Sequence, residues 1–333
     1  MDRKAEHTWS VVMAAGEGSR LRGLTTTPWG MAVPKQFCSL HGGTSLLDET
    51  LQRARAIASH ERICAVVAHQ HRRWWPDPLC SLFAENVLVE PQNRGTANGM
   101  LLALLHILER DPQARIVFLP SDHHVCDEPL LAHSIRQTVQ QLGTRVTEVV
   151  LLGMEPDEPD VELGYIVPGA ADGHGAFAVE EFVEKPGLAA ARALMDQGAL
   201  WNAFIVAAQA RALLRIFEAR IPEIVMEMRG VAPHDRRRAD VIATIELYER
   251  LPDIDFSRHI APRCLRELRV VAVPPCGWSD LGTPRRVAQV LSRLSRDETS
   301  RVPSLDHRTA PLDLANQYAA HNRLLEWRDA APS

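Results

Sequence analysis

The residues best suited to chemistry fall in four separate stretches. The first is Val11-Val12-Met13-Ala14-Ala15-Gly16-Glu17-Gly18-Ser19-Arg20, followed after a long polar loop by Pro34-Lys35-Gln36-Phe37. Val11 to Ala14 read as a short buried strand, and Gly16 and Gly18 let the backbone behind it bend tightly and come close to a ligand. Bare backbone N–H groups in such a bend, with Arg20 and Lys35 supplying positive charge, suit a polyphosphate. The second and fourth stretches, Pro120-Ser121-Asp122-His123 and Gly277-Trp278-Ser279-Asp280-Leu281-Gly282, each place an aspartate in a turn directly after an apolar run. Two carboxylates are what Mg²⁺ commonly takes from a protein, its other positions being filled by phosphate oxygens and water. The third stretch, Phe182-Val183-Glu184-Lys185-Pro186, holds a cation before a proline turn.

Each piece also has a plainer reading. Gly-x-Gly after a strand is an ordinary βα turn, an aspartate after a strand is an Asx-turn or helix cap, and Glu-Lys-Pro is a simple turn. Two familiar phosphate loops are excluded. A dinucleotide fingerprint needs a third glycine where Leu21 stands, and no Gly-Lys-Ser/Thr follows as a P-loop requires.

Taken together, the glycine-rich loop, Arg20 and Pro34-Lys35 resemble the signature of the sugar-phosphate nucleotidyltransferases, and Gln36-Phe37 is similar to the mannose-1-phosphate guanylyltransferase branch. Pro120 to His123 resembles that family's Pro-Ala-Asp-His, and Gly277 to Gly282 its Gly-Trp-Ser-Asp-Val-Gly. Phe182 to Pro186 matches Phe-Val-Glu-Lys-Pro without change. Glu90-Pro91 with Arg94 and Thr96-Ala97 resembles Glu-Pro…Arg…Thr-Ala-Pro, Trp201-Asn202 resembles Trp-Asn-Ser-Gly, and Gly164-Tyr165-Ile166 the end of a Gly-Tyr-Gly-Tyr-Ile run. The likeness spans about residues 10–290 in family order.

The resemblance implies transfer of a nucleotidyl group from a nucleoside triphosphate, GTP first, to a sugar 1-phosphate, mannose 1-phosphate first, with release of pyrophosphate and help from Mg²⁺. By the same resemblance Ala15, Gly16, Gly18, Ser19 and Arg20 hold the triphosphate, Lys35 offsets phosphate charge, and Asp122 and Asp280 hold the metal. Lys185 guides the sugar phosphate, while Gly164, Glu184 and Asn202 lie on the sugar. Glu90, Arg94, Thr96 and Ala97 lie near the nucleoside. Three departures bear on substrate: Asn98 replaces the proline after Thr-Ala, Ala203-Phe204 replaces Ser-Gly, and Glu162 introduces an acid that would repel a phosphorylated sugar if it pointed inward. The alternative is a non-catalytic nucleotide- or nucleotide-sugar-binding regulatory protein on the same fold.

The elements that would position these residues alternate. Apolar strand-like runs at 11–14, 63–68, 86–89, 115–119 and 147–153 are separated by amphipathic stretches, including one after Thr44-Ser45 and one from Thr96. Such alternation implies βαβ units: an α/β, doubly wound, mostly parallel, Rossmann-like sheet with helices on both faces and ligands beyond the carboxyl ends of the strands. A β-ribbon at 164–167 and 177–183 reads as a sugar-binding insertion. Helix 188–197, a strand at 200–206, three helical stretches over 208–250, a strand at 268–273 and a helix from Pro284 follow. The expected division is a catalytic domain at 8–296, its nucleotide part at about 8–155 and its sugar-phosphate part at about 156–296, then a tail at 297–333 with a short helix.

Bulk properties exclude other classes. The 333 residues carry a net charge of −5, with no global basic field for nucleic acid or anionic membrane. Arg236-Arg237-Arg238 reads as a solvated face near a helix start. No apolar run reaches the length of a bilayer span, and the charged N-terminus is unlike a signal peptide. Six scattered cysteines without a Cys-x-x-Cys pair read as reduced thiols of a cytoplasmic protein. His69 and His71 read as capping or surface histidines rather than metal ligands. A homodimer is compatible with the sequence.

Overall fold

The computed structural model describes residues 5–39, 43–142, 149–231 and 238–301. Nine strands form a single sheet in the order β3-β2-β1-β4-β8-β5-β9-β7-β6. They are β1 (Thr8–Ala14), β2 (Ile63–Ala68), β3 (Val87–Glu90), β4 (Arg115–Pro120), β5 (Val149–Met154), β6 (Gly164–Ala171), β7 (Phe177–Glu184), β8 (Leu200–Gln209) and β9 (Leu268–Val273). The longer helices are α1 (Leu46–Arg55), α2 (Thr96–Arg110), α3 (Glu128–Gln141), α4 (Leu188–Asp196), α5 (Ala210–Arg220), α6 (Pro222–Val231), α7 (Arg238–Arg250) and α8 (Pro284–Arg301). α8 runs past residue 296, so the expected start of the tail falls inside a helix. The helical patch expected at 313–328 lies outside the described residues, as do Arg236 and Arg237.

The first half behaves as its apolar runs dictate. β1 is buried on both faces, so its side chains alternate between two cores. Trp9 and Val11 join α2, α5 and α6 on one side, and Val12 and Ala14 join α1 and α3 on the other. A strand covered twice reads as a continuous apolar run, and that is how Val11 to Ala14 is spelled. β1 pairs parallel with both β2 and β4, and β2 pairs parallel with β3.

The second half departs from a mostly parallel, doubly wound sheet. β8 enters between β4 and β5 and is antiparallel to both. β6 pairs with β7 and, through Tyr165 and Ile166, with β8, while β7 reaches β9. The pairings β8-β5-β9-β7-β6-β8 therefore close a small five-stranded ring. Strand propensity reports a half-buried pleated surface and carries no sign of direction, so the apolar spelling of Leu200 to Val206 is silent on this reversal.

Two antiparallel steps from β4 through β8 to β5 restore the original direction, and β9 runs parallel to β5. The carboxyl ends of β1, β2, β3, β4, β5 and β9 thus share one edge of the sheet. Helix α1, which follows the Lys35 loop, starts with a capping box: the Ser45 hydroxyl accepts from the Asp48 N–H at 3.2 Å, and the Asp48 carboxylate accepts from the Ser45 N–H at 3.1 Å. Ser45→Ala should cost about 1 kcal/mol of unfolding free energy, measured by urea denaturation.

Candidate active site

The bend after β1 is held from three sides. Gln36 donates from Nε2 to the carbonyls of Ala14 and Gly16, each at 2.9 Å, and Asn93 donates to the Ala15 carbonyl at 3.0 Å. The Ser121 hydroxyl donates to the Met13 carbonyl at 2.7 Å. Gly18 has φ +60°, and a Cβ there would fall 2.8 Å from the Lys35 Cβ. Gly18 is therefore required by the approach of Lys35, whereas a Cβ on Gly16 would meet nothing within 4 Å. Ser19 and Arg20 are exposed beyond this bend.

Lys35 crosses the site. It is 5% exposed, and its ammonium lies 2.9 Å from Asp122 Oδ2 and donates to the Asp280 carbonyl at 2.5 Å. The two aspartate loops are also joined directly. His124 and Ser279 exchange both backbone hydrogen bonds at 2.9 Å, the Cys126 N–H donates to the Cys276 carbonyl at 3.1 Å, and Trp278 Nε1 donates to His123 Nδ1 at 3.3 Å. Burial alone would raise the Asp122 pKa, but the charges of Lys35, His123 and Arg20 outweigh it and hold the carboxyl below its usual range. Burial pushes His123 down to about 4, so its imidazole is neutral near pH 7.

Asp280 is buried, 5% exposed, and its Oδ1 has no hydrogen-bond partner. A Cβ on Gly282 would lie 2.2 Å from Asp280 Oδ2 and 3.2 Å from Arg20 Nη1. A side chain at this position would push the Asp280 carboxylate from its present place. Among the described residues no group of three or more His, Cys, Asp or Glu is placed to hold a metal ion. Two hard carboxylates, one with an unbonded buried oxygen, nevertheless fit an oxygen-seeking cation that completes its shell with phosphate and water.

The residues expected on a sugar come together around Gly164. A Cβ there would lie 2.5 Å from Glu184 Oε2 and 3.4 Å from the Asn202 Cβ. Asn202 donates to the Ser257 hydroxyl at 3.0 Å and accepts from the Phe204 N–H at 3.1 Å. Burial, reinforced by Asp255 and opposed by Lys185 and Arg258, raises Glu184 to about 7. Lys185 is exposed at the end of β7 with φ +50°; Phe204 and Leu281 share that left-handed conformation at +51° and +49°. Non-glycine residues rarely adopt it, and here each adjoins or lies near an expected functional residue.

The nucleotidyl transferase family model matches residues 9–296. The chain belongs to that family. It is 29% identical over 316 residues to the mannose-1-phosphate guanylyltransferase ManC of Salmonella typhimurium, covering 90% of this chain and 63% of that protein. It is 28% identical over 317 residues to a mannose-1-phosphate guanylyltransferase of Escherichia coli, with the same coverage of both chains. The chain thus spans a little under two thirds of the length of these curated relatives. Among solved structures, one titled a mannose-1-phosphate geranyltransferase from Thermus thermophilus superposes with a TM-score of 0.73 at 26% identity, over 86% of this chain and 79% of that one.

Within this member of the family, the segment expected near a nucleoside packs against residues 248–256. Glu90 is 1% exposed and accepts from the Tyr248 hydroxyl at 3.3 Å. Arg94 donates to the carbonyls of Tyr248 and Glu249, the Thr96 hydroxyl bonds Asp255 and the Phe256 N–H, and the Ala97 N–H donates to the Ile254 carbonyl. These four residues clamp the 248–256 segment. Asn98, the first departure, donates to the Arg94 and Pro252 carbonyls. Glu162, the expected source of repulsion, pairs with Arg20 at 2.8 Å, and Phe204 turns edge-on to Phe256 with centroids 6.5 Å apart. His71 is buried beside Glu17 and His69 lies at the exit of β2, neither in a metal cage among the described residues.

Asn93, Asp160 and Arg286 have site-building roles that motif spacing does not flag. For Arg286 a signal exists: two arginines directly after Pro284 stand at the positive end of a helix, where cations are disfavoured.

Burial raises Glu90 to about 8, while an unfolded chain releases that proton near pH ~4. Between those values the folded state binds more protons, so this residue's contribution to stability falls as pH rises. Glu90→Gln should flatten the decline in denaturation midpoint between pH 5 and pH 8.

Proposed function

We propose that this chain catalyses transfer of a nucleotidyl group from a nucleoside triphosphate to a sugar 1-phosphate, with GTP and mannose 1-phosphate the first pair to test. The observation that carries the reading is the Lys35 ammonium held between the Asp122 carboxylate and the Asp280 carbonyl, directly behind the glycine-rich bend. A reaction between two polyanions is limited by repulsion and alignment, so a cation fixed behind a glycine-rich turn by one carboxylate and one main-chain carbonyl suits it. The names of the curated relatives support the choice of substrates.

In this reading the backbone of Gly16 to Ser19 and the Arg20 guanidinium receive the triphosphate, and Lys35 offsets charge where it develops. Asp122 and Asp280 would hold Mg²⁺, which when bound supplies charge neutralisation at the phosphates. A phosphate monoester is already an anionic nucleophile, so no strong general base is required. Lys185, exposed beside the Gly164, Glu184 and Asn202 cluster, orients that nucleophile. Asn93 fixes the bend through the Ala15 carbonyl and so positions the nucleotide side indirectly.

Pyrophosphate release measured over a panel of nucleoside triphosphates and sugar 1-phosphates with Mg²⁺ tests the proposal. Turnover with at least one pair is expected. Lys185→Ala should lower kcat/KM about 10²-fold or more while leaving the melting temperature nearly unchanged, whereas Asp122→Asn should lower both, since it leaves the buried Lys35 ammonium without its carboxylate. Tight nucleotide binding without turnover for any pair would favour a binding protein instead.

Glu184 gives a second test. With its pKa at about 7, the carboxylate that accepts from sugar hydroxyls is half-formed at neutrality. KM for the sugar phosphate should fall as pH rises from 6 to 8, and Glu184→Gln should remove that dependence. An identical pH profile in the variant would exclude this role.

A further inference from the structure

Arg286 lies in the first turn of α8 and is 6% exposed. Its guanidinium carbon sits 4.5 Å from the centroid of the Trp201 ring, and its Nε donates to Asp160 Oδ2 at 2.7 Å. The same Nε lies 3.6 Å from Asp280 Oδ1, outside hydrogen-bonding range. Asp280 Oδ1 and Arg286 Nη2 are both buried, and neither has a hydrogen-bond partner. A carboxylate and a guanidinium buried side by side ordinarily close into a bonded pair, because leaving either unbonded in a poorly solvated place is costly. Here they do not close.

Asp160 explains the gap. Its backbone is fixed by Tyr165, whose hydroxyl accepts from the Asp160 N–H at 2.8 Å and donates to the Asp160 carbonyl at 3.0 Å. Its Oδ1 accepts from the Glu162 N–H at 2.6 Å, which leaves Oδ2 directed at Arg286. Arg286 is thus bonded to Asp160, and Asp280 Oδ1 is left without a hydrogen bond.

We propose that Asp160 is a positioning residue that holds Arg286 away from Asp280, so that the Asp280 carboxylate stays open to a divalent cation. The inference rests on the reading of Asp280 as a cation ligand. Without the Asp160 charge, Arg286 turns to Asp280, closes the 3.6 Å gap and competes with the cation. Trp201 keeps the guanidinium in the plane from which it can serve either acid.

The test titrates Mn²⁺ alone into the full chain and counts free Mn²⁺ by electron paramagnetic resonance, with melting temperatures recorded for every variant. Asp160→Asn should weaken Mn²⁺ binding about tenfold. The double variant D160N/R286M should return to within about threefold of wild type, since the competing cation is gone. Arg286→Met alone should bind Mn²⁺ as tightly as wild type or tighter, which decides the matter should the double variant not fold. Wild-type affinity in D160N, or a double variant as weak as D160N, would overturn the inference even if Asp280→Asn abolishes binding. If Asp280→Asn binds like wild type, or wild type binds no Mn²⁺, the assignment of Asp280 as a ligand falls as well.

Discussion

A single ammonium ties this edge of the sheet together. Lys35 is carried on a loop that leaves the bend after β1, travels through some fifteen residues and returns so closely that Gly18 can bear no Cβ. Its Nζ then reaches two loops that arrive from β4 and β9. Three segments far apart in sequence are therefore registered on one charge. The surrounding hydrogen bonds, from Gln36 to the bend and from Ser121 to β1, set the backbone on which that charge rests. Because Lys35 is buried, it needs its oxygen partners, the Asp122 carboxylate and the Asp280 main-chain carbonyl, and because those lie on different loops, the loops meet.

The strand topology makes this meeting possible at low cost. β9 delivers Asp280 to the same edge as β4 only because β8 intervenes antiparallel and β5 turns the direction back again. The reversal also carries β6 and β7 round to close the ring, bringing Gly164, Glu184 and Asn202 beside one another. The residues expected on the nucleotide and on the sugar come largely from opposite halves of the chain, yet β8 of the second half lies between β4 and β5 of the first.

Much of this is legible in the residues themselves. Doubly buried strands announce themselves as unbroken apolar runs, capped helices as Ser-x-x-Asp, and tight turns as glycine. The convergence of Asp122 with Asp280 follows from both standing after apolar runs. The antiparallel course of β8 is not written in Leu200 to Val206, because alternation and propensity are the same for either direction. Nor does a motif reveal its intramolecular partners: that Arg94 and Thr96 bond the 248–256 segment is visible only in the structure. The partnership of Asp160 with Arg286 joins residues 126 apart and has no pattern at all, except that an arginine at a helix start is anomalous.

Lys185, Phe204 and Leu281 each hold a side chain in a backbone conformation that costs an L-residue roughly 1–2 kcal/mol. Together that is an appreciable share of the 5–15 kcal/mol or so by which a domain usually stays folded. The chain could relax each turn only by swinging the ammonium of Lys185, or the peptide that follows Asp280, away from its present place. Backbone cost and alignment are thus opposed at these points, and glycine would relieve the first only by giving up the ammonium of Lys185 or the core packing of Phe204 and Leu281.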